Sequence, residues 1–338
     1  MADRNELALI DWIRQQARSA PGLQLGIGDD AAVWQVGDKQ LLLTTDVLME
    51  NVDFLLPPPS NETVGRIVNP STCLATEPSD GLTIRPMGTL DATARLIGRK
   101  AMAVNLSDIA AMAGRPLTAL VGVALPRSRG FEFARELHQG LQSLADEFHV
   151  AIIGGDTNIW DGPLVISVTV IGEATDRGPV RRCGAKPGDW IFVTGPLGGS
   201  ITGEHLTFTP RVREALELHS AVDLHAMIDL SDGLSSDLYH ILDESHVGAT
   251  LIADAIPITD SARQMTDGRT PLDHALADGE DFELLFTVSS DDGRRLLSGQ
   301  SPIAVFHIGE IAATVGCQLR HSNGSVMPLP CTGWEHSF

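Results

Sequence analysis

Apolar residues recur along this chain in two periods. Short runs rich in β-branched and aromatic residues predict strands at Gln40–Thr44, Thr118–Ala124, Ala151–Ile153, Leu164–Ile171, Trp190–Val193, Thr250–Ile252, Phe282–Val288 and Ala304–Ile308. Segments with apolar residues on one helical face predict helices over about 5–18, 94–112, 131–148, 211–221, 234–243 and 290–297. In the first of these, Leu7, Ile10 and Ile13 stand at helical spacing, while Asp3 and Glu6 break any apolar run. The N-terminus therefore does not read as a secretory signal. Strands alternating with helices point to an α/β (α+β) class.

A length of 338 residues exceeds what one core usually supports, so two domains are expected. The turn-rich stretch Gly172–Gly188 lies between two strong strands and marks the boundary, dividing the chain into 1–175 and 176–338. Pro57–Asp91 stands apart. It opens Pro57-Pro58-Pro59, continues NPSTCLATEPSDG and shows little periodicity, which reads as a long functional excursion within the first domain. No internal repeat is visible.

Composition removes several function classes. The 44 acidic residues outnumber the 24 basic ones, giving a formal charge of -20. Such a chain has no surplus of cations for nucleic-acid phosphates or anionic membrane surfaces. No apolar run reaches the roughly 20 residues of a membrane helix. Cysteines at 73, 183, 317 and 331 form no C-x-x-C pair and fit no zinc spacing, so they read as reduced thiols in a cytoplasmic setting. The eleven histidines show no ligand spacing and read mostly as surface or capping residues, and Tyr239 reads as packing.

What general solubility does not explain is the placing of certain carboxylates. GDDAAV (28–33), TTD (44–46), NLSD (105–108), GGDT (154–157), DLSDG (229–233) and GED (279–281) set acids at strand ends or on apolar helices. Any one of these is more often a turn or a helix cap than a site. Six together, with too few bases to pair them, favour cation binding, because buried carboxylates are costly without a partner. Oxygen donors of Asp, Ser and Thr suit hard cations such as Mg2+. Asn105 and Asp108 are three apart and share one helix face, Asp29 and Asp30 cannot comfortably both be buried as anions, and the helix starting at Leu234 would offer backbone N–H groups to an anion. No P-loop, dinucleotide fingerprint, H-E-x-x-H or G-x-S-x-G occurs.

Read in order, GIGDDAAV, LTTDVLME, KAMAVNLSDIAAMAGRP, IIGGDT, RCGAKPGDWIFVTGPLGGS, AMIDLSDGLSSDLYHI, GEDFELLFT and a terminal GW resemble the thiamine-monophosphate kinase family over nearly the whole chain. Its wider superfamily includes aminoimidazole ribonucleotide synthetase, selenophosphate synthetase and a hydrogenase-maturation protein. The resemblance implies a two-domain aminoimidazole ribonucleotide synthetase-like fold, with an N-terminal sheet pairing across a homodimer and a C-terminal α/β sandwich. It implies direct transfer of the γ-phosphoryl group of ATP to thiamine monophosphate, giving thiamine diphosphate. Carried over by motif, Asp30, Thr44, Thr45, Asp46, Asp108, Asp156, Asp229 and Asp232 would hold several Mg2+ ions. Gly155, Asp156, Arg182 and Ser231 would meet ATP, while Asp53, Glu280 and Trp334 would contact the substrate. No residue is assigned covalent or general-base work.

Three features depart from the family pattern. Glu50-Asn51-Val52-Asp53-Phe54 carries Asp53 where a His is usual, Pro57–Asp91 replaces a shorter link, and Gly203–Arg211 abbreviates a longer stretch. The alternatives are a superfamily relative that uses ATP with another acceptor, a nucleotide-binding homologue without turnover, and an acidic α/β protein whose Asp residues only cap turns.

Overall fold

The computed structural model describes residues 6–57 and 93–334. Apart from Pro57, the Pro57–Asp91 excursion falls outside the described residues. The first half begins with α1 (Glu6–Gln16), then β1 (Leu23–Leu25), β2 (Ala32–Val36), β3 (Lys39–Met49), α2 (Ala94–Ala111), β4 (Gly114–Pro126), α3 (Gly130–Glu147), β5 (Ala151–Trp160) and β6 (Val165–Ala174). Its strands form one sheet in the order β1-β2-β3-β6-β4-β5. Strand alternation sorts the faces: Ile166, Val168 and Val170 of β6 are buried towards the helices, and the residues between them turn to the other side.

That other side is open. Val47 and Met49 of β3, Leu120 of β4 and Trp160 of β5 are exposed there, and cross-strand register places them on one face. β5 is a nearly fully exposed edge.

The second half holds β7 (Trp190–Val193), α4 (Glu204–Thr207), α5 (Val212–Ala221), β8 (Leu224–Asp229), α6 (Leu234–Ser245), β9 (Gly248–Ile252), α7 (Asp260–Gln264), α8 (Pro271–Ala277), β10 (Leu284–Val288), α9 (Ser290–Arg295), β11 (Phe306–Ala312), β12 (Gly316–Arg320) and β13 (Val326–Pro328). The sheet order is β13-β12-β9-β11-β7-β10-β8. The central strands β7 and β10 are covered on both faces, which is why WIFV and LLFTV are continuous apolar runs rather than alternating ones.

Helix α2 is the hinge of the architecture. Ile97, Met102, Leu106 and Ile109 are buried in one core that also contains Ile166 and Val168 of the first sheet and Phe192 and Phe286 of the second. It can lie this deep because its surface is built of small residues. A Cβ on Gly98 would sit 2.0 Å from the carbonyl oxygen of Leu137, so only glycine allows α3 this close. A second core fills the far face of the second sheet, beneath α6 and α8.

The strand and helix expectations coincide with elements of the structure, several of which run longer than their apolar runs; β3, for example, continues through the polar TTD motif to Met49. β1, β12 and β13 and the short helices α4, α7 and α8 were not anticipated, and β2 and β8 were anticipated only as strands of unstated extent beside the GDDAAV and DLSDG motifs. Three histidines are exceptions to the reading of most as surface or capping residues. His205, His219 and His274 are buried, and His274 is held by Asp278 and Asp267. Tyr239 packs against the second core and donates to the Leu329 carbonyl at 2.8 Å.

Candidate functional site

Three carboxylates from distant parts of the chain meet beside α2. Asp30 comes from the loop before β2, Asp108 from the last turns of α2, and Asp229 from the end of β8, and their oxygens lie within 4.8 Å of one another. Asp46 of β3 is a near neighbour of Asp108, close enough for each carboxylate to perturb the other. Neighbouring hydroxyls and amides orient the group. Thr44 Oγ1 donates to Asp108 Oδ2, Ser107 Oγ donates to Asp229 Oδ2 at 2.5 Å, and the Asp46 N–H donates to Asn105 Oδ1 at 3.2 Å. Asn105 and Asp108 do share a face, and that face is turned to β3.

Bringing these acids together has an electrostatic cost. Burial, then the charges of Asp46, Asp229 and Asp30, push Asp108 well above the ordinary carboxylate range. Burial, then Asp30, raises Asp229 to about 7, and burial, opposed by Asp108, raises Asp46 to about 6. Asp29, pushed up to about 7 by burial and then by Asp30, accepts the Arg182 backbone N–H at 3.3 Å. The one guanidinium in the group is Arg182, whose Nη2 donates to Asp30 Oδ1 at 2.7 Å. Despite burial, the carboxylates around it hold its proton more firmly than usual.

The donor set fits Mg2+. All its candidate ligands are oxygens, and two buried carboxylate oxygens, Asp30 Oδ2 and Asp46 Oδ2, have no hydrogen-bond partner. Leaving such atoms unmet in a fold that satisfies their neighbours is what a cation site requires.

The other anticipated residues are distributed around this cluster. Asp232 lies with Asp237 and His240 in a neighbouring group of potential ligands. The N–H groups of Asp232 and Gly233 donate to Asp237 Oδ2 at 3.1 Å, while the first N–H groups of α6 itself receive no side-chain cap. Ser231 accepts the Glu280 N–H on its carbonyl at 2.7 Å, and Trp334 is tied to the same loop by its N–H to the Asp232 carbonyl at 3.0 Å. Glu280 lines a cavity of about 320 Å3 with Ser200, Phe208, Arg211, Phe282 and Glu283. Phe208 and Phe282 stack there with centroids 4.1 Å apart. Asp53 closes the turn after β3, its Oδ2 accepting the Met49 N–H at 2.7 Å.

Three residues lie elsewhere within a single chain. Thr45 and Asp156 are on the open face of the first sheet, and Gly155 sits on the edge strand β5. Three strand spacings separate β5 from β3, roughly 14 Å. Gly155 is obligatory, because a Cβ there would lie 1.8 Å from the Val121 carbonyl oxygen.

Two groups of functional interest escaped the motif reading. Asp237 sits inside DLSDGLSSDL, five residues past Asp232, and only the fold brings its carboxylate back over the loop. Lys100, inside GRKAMAV, is the cation of α2 that directly precedes its apolar run AMAV, and that mismatch was the available signal.

Comparisons agree with this geometry. The family model described as AIR synthase related protein, N-terminal domain, matches residues 28–70 and 76–174, and the corresponding C-terminal domain matches residues 186–321. The thiamine-monophosphate kinase of Rhodopirellula baltica is 39% identical, across 98% of this chain and 97% of its own. That of Salmonella typhimurium is 31% identical, across 98% of each. Among solved structures, AaThiL complexed with AMPPCP and TMP matches with a TM-score of 0.77 at 26% identity, over 98% of this chain and 97% of that one. The Stenotrophomonas maltophilia thiamine-monophosphate kinase matches with a TM-score of 0.67 at 33% identity, over 93% and 96%.

Proposed function

The chain belongs to the thiamine-monophosphate kinase family of AIR synthase related proteins, and we propose that it transfers the γ-phosphoryl group of ATP to the phosphate of thiamine monophosphate. The observation that carries this reading is the oxygen-only cluster of Asp30, Asp108 and Asp229, with the unpartnered oxygens of Asp30 and of Asp46, a neighbour of Asp108. In the reaction an oxygen of the acceptor phosphate bonds to the γ-phosphorus, the bond from that phosphorus to the β–γ bridging oxygen breaks, and ADP leaves. Such transfer depends on positioning and charge neutralisation more than on a protein nucleophile.

Asp30, Thr44, Asp46, Asp108, Asp229 and Asp232 would hold Mg2+, together with Thr45 and Asp156. Bound Mg2+ would supply the positive charge that developing phosphate oxygens need and that an acidic chain lacks. Gly155, Asp156, Ser231 and Arg182 would meet ATP, with Arg182 also holding Asp30 in place. Asp53, Glu280 and Trp334 would bound the acceptor, whose cationic thiazolium suits a carboxylate-lined cavity. The split of this work follows the chain halves, with 1–175 carrying most of the ATP and Mg2+ contacts and 176–338 most of the acceptor contacts.

The open face of the first sheet supports a homodimer. Val47 is 53% exposed and Leu120 is 40% exposed on a face shared with Thr45 and Asp156. A second copy would bury this apolar area and bring these two residues into an enclosed site. Among the described residues no helix is long and apolar enough to cross a membrane. With the thiol reading of the cysteines and the acidic surface, this supports an enzyme of the cytoplasm that binds neither membrane nor nucleic acid.

The test is a phosphotransfer assay with thiamine monophosphate beside a panel of other phosphorylated acceptors. Thiamine diphosphate should form, with ATP and Mg2+ both required. Turnover of another acceptor in its place would sink the substrate assignment. Sedimentation of Val47→Asp should show monomer where the unaltered chain shows dimer.

A further inference from the structure

Lys100 is fully buried in α2, and its charge is met by groups from both halves of the chain. Its ammonium donates to Glu280 Oε1 at 2.5 Å and to the Asp53 carbonyl oxygen at 3.0 Å. A lysine this deep is seldom tolerated unless paired, and here the pairing is specific.

The two partners are the segments through which the acceptor would be held. Asp53 ends the turn after β3, where the Asp53 N–H meets the Met49 carbonyl at 3.0 Å and the Asn51 N–H meets that of Phe54 at 2.8 Å. Glu280 stands in the loop before β10 in a left-handed conformation, with φ of 57°. A non-glycine residue pays for that backbone, so something must hold it. Backbone bonds from the Glu280 N–H to Ser231 and from the Phe282 N–H to Leu230 fix the loop, and Lys100 meets the carboxylate it carries.

We propose that Lys100 is a positioning residue for the phosphorylated acceptor, holding the Glu280 carboxylate at the cavity mouth and the Asp53 turn at a fixed distance from it. This rests on the thiamine-monophosphate reading above. Lys100 does not itself meet the acceptor. Its side chain is 1% exposed, whereas that of Glu280 is 20% exposed and lines the cavity. One buried cation therefore sets the spacing of two segments that come from the two halves of the chain.

The test compares steady-state kinetics of the full-length chain with Lys100→Met, Lys100→Arg, Glu280→Gln and the Lys100→Met/Glu280→Gln double variant. Lys100→Met should raise KM for thiamine monophosphate about tenfold or more, the loss expected for one charged hydrogen bond, with KM for ATP and the Mg2+ requirement unchanged. Lys100→Arg should recover most of the loss. The double variant should be no worse than Glu280→Gln alone, because Lys100 acts through Glu280. Should Lys100→Met fail to fold, Lys100→Gln carries the same comparison. An unchanged KM for the acceptor, an equal rise in KM for ATP, or losses that multiply in the double variant would each overturn the positioning role alone. No thiamine-monophosphate turnover by the wild type would overturn the functional reading and this role with it.

Discussion

Arg182 Nη2 lies 2.7 Å from Asp30 Oδ1, joining the segment before β7 to the loop before β2. The pair is well buried, with side chains 21% and 1% exposed. It connects the two halves at the point where the carboxylates converge. Removing the guanidinium would leave Asp30 facing Asp29, Asp108 and Asp229 without its one cation. Arg182→Met should therefore lower stability in metal-free buffer by about 3 kcal/mol. Adding Asp30→Asn should restore part of that loss, because the stranded charge is gone. Urea unfolding of the two single variants and the double variant measures this, and strictly additive effects would count against a direct pair.

Asp108 separates chemistry from folding. It meets Asp46, Asp229 and Asp30 on one side and Thr44 on the other, and nothing apolar depends on its charge. Asp108→Asn keeps the shape and removes one repelling anion. Turnover should fall about a hundredfold or more, while the melting temperature in chelator holds or rises. A variant that melts early yet turns over normally would place Asp108 in the scaffold and not in the site.

The same repulsion predicts how the chelated protein responds to pH. Asp29 and Asp229 are raised from 3.8 to about 7 and Asp46 to about 6, so the folded state binds protons that the unfolded state has released. The stability these groups confer is complete below about 4 and is lost as pH rises to about 7. Melting temperature in chelator should decline across that window. Added Mg2+ should stabilise more at pH 8 than at pH 5, because the ligands must be ionised. Equal stabilisation at both values would argue against carboxylate ligation.

Asp53 marks the departure from the family's usual His. Its Oδ2 is engaged by the Met49 N–H at 2.7 Å, so it shapes the turn while lying near enough to Asp46 to raise it. Asp53→His should change KM for thiamine monophosphate with little change in the Mg2+ requirement. A shifted Mg2+ requirement would instead assign Asp53 to the metals. If neither the wild type nor the variant turned over this substrate, another acceptor would be favoured.

Local pattern alone determined a good deal of this protein. The alternating periods identified most long strands and helices, since each buries a face that repeats in sequence. The acidic motifs disclosed their chemistry because carboxylates beside apolar runs demand a partner, and Asn105 and Asp108 could be placed on one face by helical spacing alone. β1 and β12 were illegible because a glutamine interrupts each short apolar run, and β13 because it is three exposed residues, whereas β7 and β10 are as short but continuously apolar and buried.

Only the tertiary structure decided which acids meet. Asp30, Asp46, Asp108 and Asp229 are far apart in sequence, and small residues let α2 pass deeply enough between the sheets to gather them. Strand register, a property of pairing rather than composition, put Asp46 towards α2 and its neighbour Thr45 on the open face with Asp156. Burial depth decided the role of Lys100. In the sequence it is one of 24 cations, and in the fold it is enclosed between Glu280 and Asp53. Sequence carries the chemical identity of each group, but distance, burial and therefore electrostatic energy arise only when the chain closes on itself.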